Sequence, residues 1–238
     1  MKNNKNVFLQ GLKDGTPIGL GYFAVSFSLG IVAQGAGLNA LEGFLASFFC
    51  VASAGEYALF TSILSAASLI EIAVITLVVN ARYLLMSCSL SQKFDEKTSL
   101  IHRLLVGFGV TDEIFGISIA RPGHVNPLYN YGAIAISVPL WSIGTSLGIL
   151  AGDILPARVV SALSVALYGM FIAIFVPPAK KNLVIALAVL SGFALSFACT
   201  LMPYVKDLSG GTRTIILTVL ISTAAAVVKP VDEENCDE

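Results

Sequence analysis

The chain has 238 residues, 56% of them hydrophobic and 12% charged, with a formal net charge of −1. Soluble domains carry roughly 25% charged residues, so too few charges are present to coat a soluble fold of this length, and the mean hydropathy of +0.84 makes lipid the matching solvent. In lipid the backbone must satisfy its own hydrogen bonds, as helices or as a closed barrel. Barrel strands alternate over ~10 residues; the apolar stretches here are continuous, which predicts an all-α polytopic membrane protein. The net charge says nothing about partners, and no basic face suggests nucleic acid. The four cysteines, Cys50, Cys88, Cys199 and Cys236, are scattered singly and form neither a disulfide framework nor a metal spacing. No cofactor is expected.

Read against ~20 residues per span, the first apolar stretch covers residues 17–37, after the Lys13–Asp14 pair. With more spans downstream and no clear cleavage site, it is expected to be an uncleaved first helix. A long stretch over 43–69 follows, interrupted by Ser53-Ala54-Gly55-Glu56-Tyr57. Further spans are predicted over 71–90, 102–120, 131–150, 158–176, 182–202 and 212–228, with polar loops at 92–103 and 121–130. The segment 229–238 is an acidic, solvated tail. This gives about seven to eight transmembrane segments with a broken or re-entrant second one, in a single domain over 1–238.

Threading of the second stretch decides the topology. A single crossing of 43–69 splits the basic residues about evenly between the two sides. Two half-helices broken at Gly55 instead place Lys2, Lys5, Lys13, Lys93, Lys97, Arg103, Arg158, Lys206 and Arg213 inside, with Arg121, Lys180, Lys181 and Lys229 outside. That split fits the positive-inside rule better, although Lys180-Lys181 stands on the wrong side.

Ionisable groups within spans cost about 2.5–3.5 kcal/mol on insertion scales and mark functional sites by default. Glu56 lies at the centre of its stretch, beside Gly55; Arg82 lies near the middle of 71–90; Asp112 and Glu113 lie near the middle of 102–120. A common depth favours one shared cavity. Gly109, Glu113, Gly116 and Ala120 follow helical spacing, so Glu113 is expected on a stripe of small residues. Thr76, Asn80 and Ser87 share a polar face, with Arg82 turned about 200° from Asn80. Structural alternatives stand beside each: an Arg82 ion pair with Asp112 or Glu113, Glu56 bonded to free backbone at the break, and Asn80 as interhelical glue. Glu71, Asp153 and Arg158 are expected at interfaces, His102 in solvent, and Tyr22, Trp141, Tyr168 and Tyr204 in packing or aromatic belts.

Three stretches together resemble the AzlC family of branched-chain amino acid permeases: Ala54-Gly55-Glu56-Tyr57-Ala58-Leu59, the run from Val79-Asn80-Ala81-Arg82-Tyr83 through Leu85-Met86-Ser87 to Leu90, and Thr111-Asp112-Glu113-Ile114-Phe115. The opening Asp14-Gly15-Thr16-Pro17-Ile18-Gly19 and Gly30 fit as well. The resemblance is strongest over residues 11–120. It implies the large subunit of a two-component exporter in the prokaryotic plasma membrane, working with a small hydrophobic AzlD-type subunit. The implied substrates are branched-chain amino acids, methionine or analogues, moved out of the cell by an ion gradient. The chain departs from the family at the break, where the usual glutamine position is Ala58 and an acid appears at Glu56; the usual histidine after the arginine is Tyr83.

The leading expectation is therefore proton-coupled export of a small zwitterion. Glu56, Gly55, Asn80 and Arg82 are the candidate substrate-binding residues, and Asp112 and Glu113 the candidate coupling or ion-pair residues. Glu56 or Glu113 would take the ammonium, and Arg82 with free N–H groups at a half-helix N-terminus would take the carboxylate. The alternative is a transporter or channel for another small solute or cation, or a scaffold subunit without a pathway of its own. Few sulfur or histidine ligands lie in the spans, which argues against a soft metal. No HExxH motif is present, and the adjacent Asp112 and Glu113 diverge by about 100° on a helix, so an enzyme is not expected.

Overall fold

A computed structural model of the chain describes residues 4–152, 182–202 and 210–228, with scattered positions between 154 and 180. Most of the predicted 158–176 span, the 229–238 tail, and Asp153, Tyr168, Tyr204 and Cys236 lie outside the described residues. Ten helices are described: α1 (Asn4–Gly35), α2 (Ala40–Phe49), α3 (Ser53–Leu64), α4 (Leu69–Val79), α5 (Ala81–Gln92), α6 (Leu100–Phe108), α7 (Asp112–Ile119), α8 (Pro127–Gly152), α9 (Leu183–Leu201) and α10 (Gly210–Val228). The described residues form no strand, and one isolated bridge joins Phe94 to Val125. The all-α membrane architecture read from the sequence holds.

The scaffold is a parallel pair, α1 and α8. The 32 residues of α1 extend about 48 Å at 1.5 Å per residue, well beyond a hydrocarbon core of about 30 Å. Small residues let the two backbones touch. A Cβ on Gly15 would meet Ala133 Cα at 2.7 Å, one on Gly30 would meet Gly148 Cα at 2.8 Å, and one on Gly132 would meet the Leu12 amide at 2.6 Å. The register rises together along both helices, so both run from a near end, where α1 starts, to a far end.

Between them the chain folds two hairpins from opposite ends. The first, α2–α3, enters from the far end. The Ser146 hydroxyl donates to the Ala40 carbonyl at 2.7 Å, and on the return arm Phe60 packs in the cluster holding Leu29, Ala33 and Ile149. The second, α6–α7, enters from the near end. His102 Nδ1 lies 2.7 Å from the Tyr131 hydroxyl at its start. On the way back Asn130 donates to Ser118 at 2.7 Å, and Arg121 reaches Gln10 at 3.3 Å. The pair α4–α5, bent by 47°, runs between the ends: Asn80 lies against Gly55, and Leu90 and Phe94 close the near-end core with Val7 and Tyr129.

Two expectations change here. The second stretch is broken, as predicted, but at Cys50–Ala52 rather than at Gly55, which lies in the first turn of α3. Gly55 has no left-handed backbone; its missing Cβ makes room for the Asn80 amide, whose Nδ2 a Cβ would approach to 2.5 Å. The predicted single span over 102–120 is two short helices broken at 109–111. Gly109 therefore leaves the stripe expected to carry Glu113 and instead admits Ile134, whose Cδ1 would stand 2.7 Å from a Cβ. Glu71, expected at an interface, accepts the Thr212 backbone N–H at 3.1 Å in the first turn of α10.

Candidate functional site

The tips of both hairpins meet at one depth, beside the middle of α1 and α8, around a cavity of about 410 Å³, within the range of small-molecule sites. Its apolar wall comes from Pro17, Ile18 and Val25 of α1 and Val51 of the first tip. Its polar wall is Tyr22, Tyr83, Thr111, Asp112, Glu113 and Trp141.

The two tips differ in their caps and in where their first-turn acids stand: Glu56 of α3 is absent from the cavity wall, whereas Asp112 and Glu113 of α7 line it. Ala52 caps α3 in extended backbone (φ −154°, ψ 110°) and has no side chain able to cap. The N–H groups of Ser53, Ala54 and Gly55 therefore have no intrahelical partner, and they carry the positive end of the helix dipole where Val51, Ala52 and Ser53 line the cavity. The start of α7 is already neutralised. The Thr111 hydroxyl caps it, accepting from Ile114 N at 3.2 Å, and Asp112 and Glu113 fill its first turn, where acids complement the dipole.

Side chains tie this wall together. The Tyr22 hydroxyl lies between Thr111 Oγ1, at 2.5 Å, and the Glu113 carboxylate. Tyr22 meets the Trp141 ring edge-on, centroids 5.3 Å apart. Arg82 pairs with Asp112 at 2.8 Å, the two side chains 38% and 41% exposed. Arg82 also donates to the Tyr83 hydroxyl at 3.2 Å and lies 5.0 Å from that ring. The ion pair written in the sequence as an alternative is thus formed, with Asp112.

Of the predicted residues, Asp112 and Glu113 line the cavity and Arg82 touches it through Asp112 and Tyr83. Gly55 and Asn80 face each other just behind the first tip, and the Thr76 Oγ1 and Asn80 Oδ1 atoms are buried without a hydrogen-bond partner. The predicted face of Thr76, Asn80 and Ser87 is interrupted, because Asn80 ends α4 at the bend. Glu56 is fully buried and absent from the cavity wall. It accepts from Ser47, from Trp141 Nε1 at 2.6 Å and from Thr145 Oγ1 at 3.1 Å, with Trp141 between it and the cavity. The shared cavity expected for all the charges thus has two of them in its wall, Arg82 paired with Asp112 beside it, and Glu56 one layer back.

Sequence reasoning assigned Tyr22 and Trp141 to packing or belts. For Trp141, depth carried the missing signal: belt aromatics belong at interfaces, whereas Trp141 lies eleventh in the predicted 131–150 span. Among the described residues no group of three His, Cys, Asp or Glu side chains gathers to hold a metal ion.

The chain matches the AzlC protein family over residues 17–155. It is 33% identical to an uncharacterised membrane protein of Archaeoglobus fulgidus over 198 residues, covering 82% of this chain and 86% of the relative. The inner membrane protein YgaZ of Escherichia coli is 30% identical over 151 residues, 61% of each chain. The branched-chain amino acid transport protein AzlC of Bacillus subtilis is 24% identical over 225 residues, 91% of this chain and 84% of the relative. No solved structure matches the chain. The matched segment holds both hairpins and the whole cavity wall, and a multi-pass helical membrane protein with that segment belongs to the AzlC family.

Proposed function

We propose that this protein is a secondary transporter of branched-chain amino acids or related small zwitterions, exporting them with a proton through the cavity between the hairpin tips. One observation carries the reading: the uncapped N-terminus of α3, with its acid Glu56 turned away, and the N-terminus of α7, with Asp112 and Glu113 in the wall, face a single cavity with an apolar side. A carboxylate suits the open N–H groups at Ser53–Gly55. An ammonium suits Glu113, whose carboxylate is exposed to the cavity while Asp112 is engaged by Arg82. Ile18, Val25 and Val51 suit an aliphatic side chain, and this contact is the one a branched substrate adds over glycine, at ~0.8 kcal/mol per buried CH₂. A metal cation is a poorer occupant, because the open α3 terminus is the positive end of a dipole.

Opposed hairpins also suit alternating access, since each end of the molecule owns one tip that can withdraw from the cavity. Lys93, Lys97, Arg103 and Arg121 lie at the near end, and the far-end turns 36–39 and 65–68 hold no basic residue. The positive-inside rule then orients the near end to the cytoplasm. Arg121, counted outside when 102–120 was read as a span, moves inside with it. The relative's name supports the substrate class, and a small AzlD-type subunit remains the proposed partner.

The test is efflux of leucine, isoleucine and valine from preloaded proteoliposomes, with and without the small subunit, under an imposed pH gradient. Gradient-dependent efflux of branched substrates over glycine is expected. Equal rates for all of them, or none for any, would overturn the reading.

A further inference from the structure

We infer that Glu56 is a positioning residue that sets the recognition wall through Trp141 without touching the transported molecule. The inference rests on the cavity being the transport site.

Glu56 is fully buried, and a carboxylate is kept in such a place only when hydrogen-bonded. Its partners come from two other helices: Ser47 of α2, and Trp141 and Thr145 of α8. The bond from Trp141 Nε1, 2.6 Å long, fixes the plane of an indole that otherwise rotates about two side-chain torsions. With the plane fixed, the indole meets Tyr22 at 76° with centroids 5.3 Å apart. Tyr22 in turn places its hydroxyl between Thr111 and Glu113 at the second tip. One acid on the first hairpin thus governs where the second hairpin's carboxylate points, across α8 and α1. A role confined to holding α3 in place predicts lost stability and an unchanged wall. The positioning role predicts a moved indole and altered recognition.

Trp141 is the single tryptophan of the chain, so all tryptophan emission reports on it. Acrylamide quenching of unliganded protein, and the KM and maximal rate of leucine transport, are measured for wild type, Glu56→Gln, Glu56→Ala and Ser47→Ala. Glu56→Ala is expected to raise the quenching constant severalfold. It is also expected to raise KM severalfold, because the wall is no longer held in its binding geometry, with the maximal rate within about twofold of wild type. Glu56→Gln, which keeps an acceptor for the indole, should restore most of both. Ser47→Ala, which loosens Glu56 and leaves its carboxylate in place, should move both in the same direction by less, and decides the matter if Glu56→Ala does not fold. Unchanged quenching in folded Glu56→Ala or Ser47→Ala, or a fallen maximal rate at unchanged KM, would overturn the inference. Failure of the transport reading looks different: leucine, isoleucine and valine would then leave wild-type emission unmoved, while the quenching arms still decide whether Glu56 positions Trp141.

Discussion

Replacing Tyr22 with phenylalanine tests the cavity wall with the smallest perturbation. The substitution keeps the ring against Trp141 and removes one oxygen, which lies between Thr111 Oγ1 and the Glu113 carboxylate. A hydrogen bond to a charged group is worth about 1.5–3 kcal/mol. Tyr22 is buried while Glu113 is exposed, so water or substrate re-solvates the carboxylate in part and the lower end applies. About 1.5 kcal/mol corresponds to roughly a tenfold weaker apparent affinity. Leucine counterflow in proteoliposomes measures it, since exchange at equal internal and external pH removes the driving force and isolates binding. The pair also calls for a double-mutant cycle: if Tyr22 acts through Glu113, Tyr22→Phe on a Glu113→Gln background should cost well under the sum of the separate effects. Additive losses, or an unchanged KM in Tyr22→Phe, would refute the reasoning that this hydroxyl orients the substrate-facing acid.

Glu113→Gln should abolish uphill, pH-gradient-driven efflux and also weaken apparent affinity in equal-pH exchange, leaving exchange measurable at high substrate; a variant that still accumulates substrate against its gradient removes Glu113 as the proton carrier. Arg82→Ala should shift the melting temperature little, because an ion pair 38% and 41% exposed contributes about 0–1 kcal/mol, and a loss of several kcal/mol by thermal unfolding would contradict that. Gly55→Ala should destabilise by about 1–3 kcal/mol through overpacking against the Asn80 amide, with much of the loss recovered in Gly55→Ala/Asn80→Ala; no recovery in a thermal-shift assay would place the strain elsewhere. A single cysteine at Lys97, in the near-end loop, should be labelled only by reagents that reach the cytoplasm, and purely external labelling would invert the assigned orientation.

The sequence by itself determined the solvent and the helices. Charge content and continuous apolar stretches leave lipid and α-helix as the arrangement that satisfies the backbone, and the same stretches contain the family's motifs. Glu56, Arg82, Asp112 and Glu113 were legible because charge in an apolar run is costly and therefore conspicuous. Tertiary structure alone decided where each one stands and what it touches. Hydropathy averages along a window, so it cannot see that 102–120 turns back at Gly109–Thr111; a hairpin and a span of equal length read alike. Nor does periodicity locate the break of the second stretch, since Gly55 serves contact with Asn80 on a separate helix. The division among the acids is likewise a matter of neighbours. Three donors from α2 and α8 enclose Glu56, Arg82 takes Asp112, and Glu113, bound by Tyr22, faces the cavity. Those partners stand up to 91 residues apart in the chain, a separation over which only packing brings side chains together.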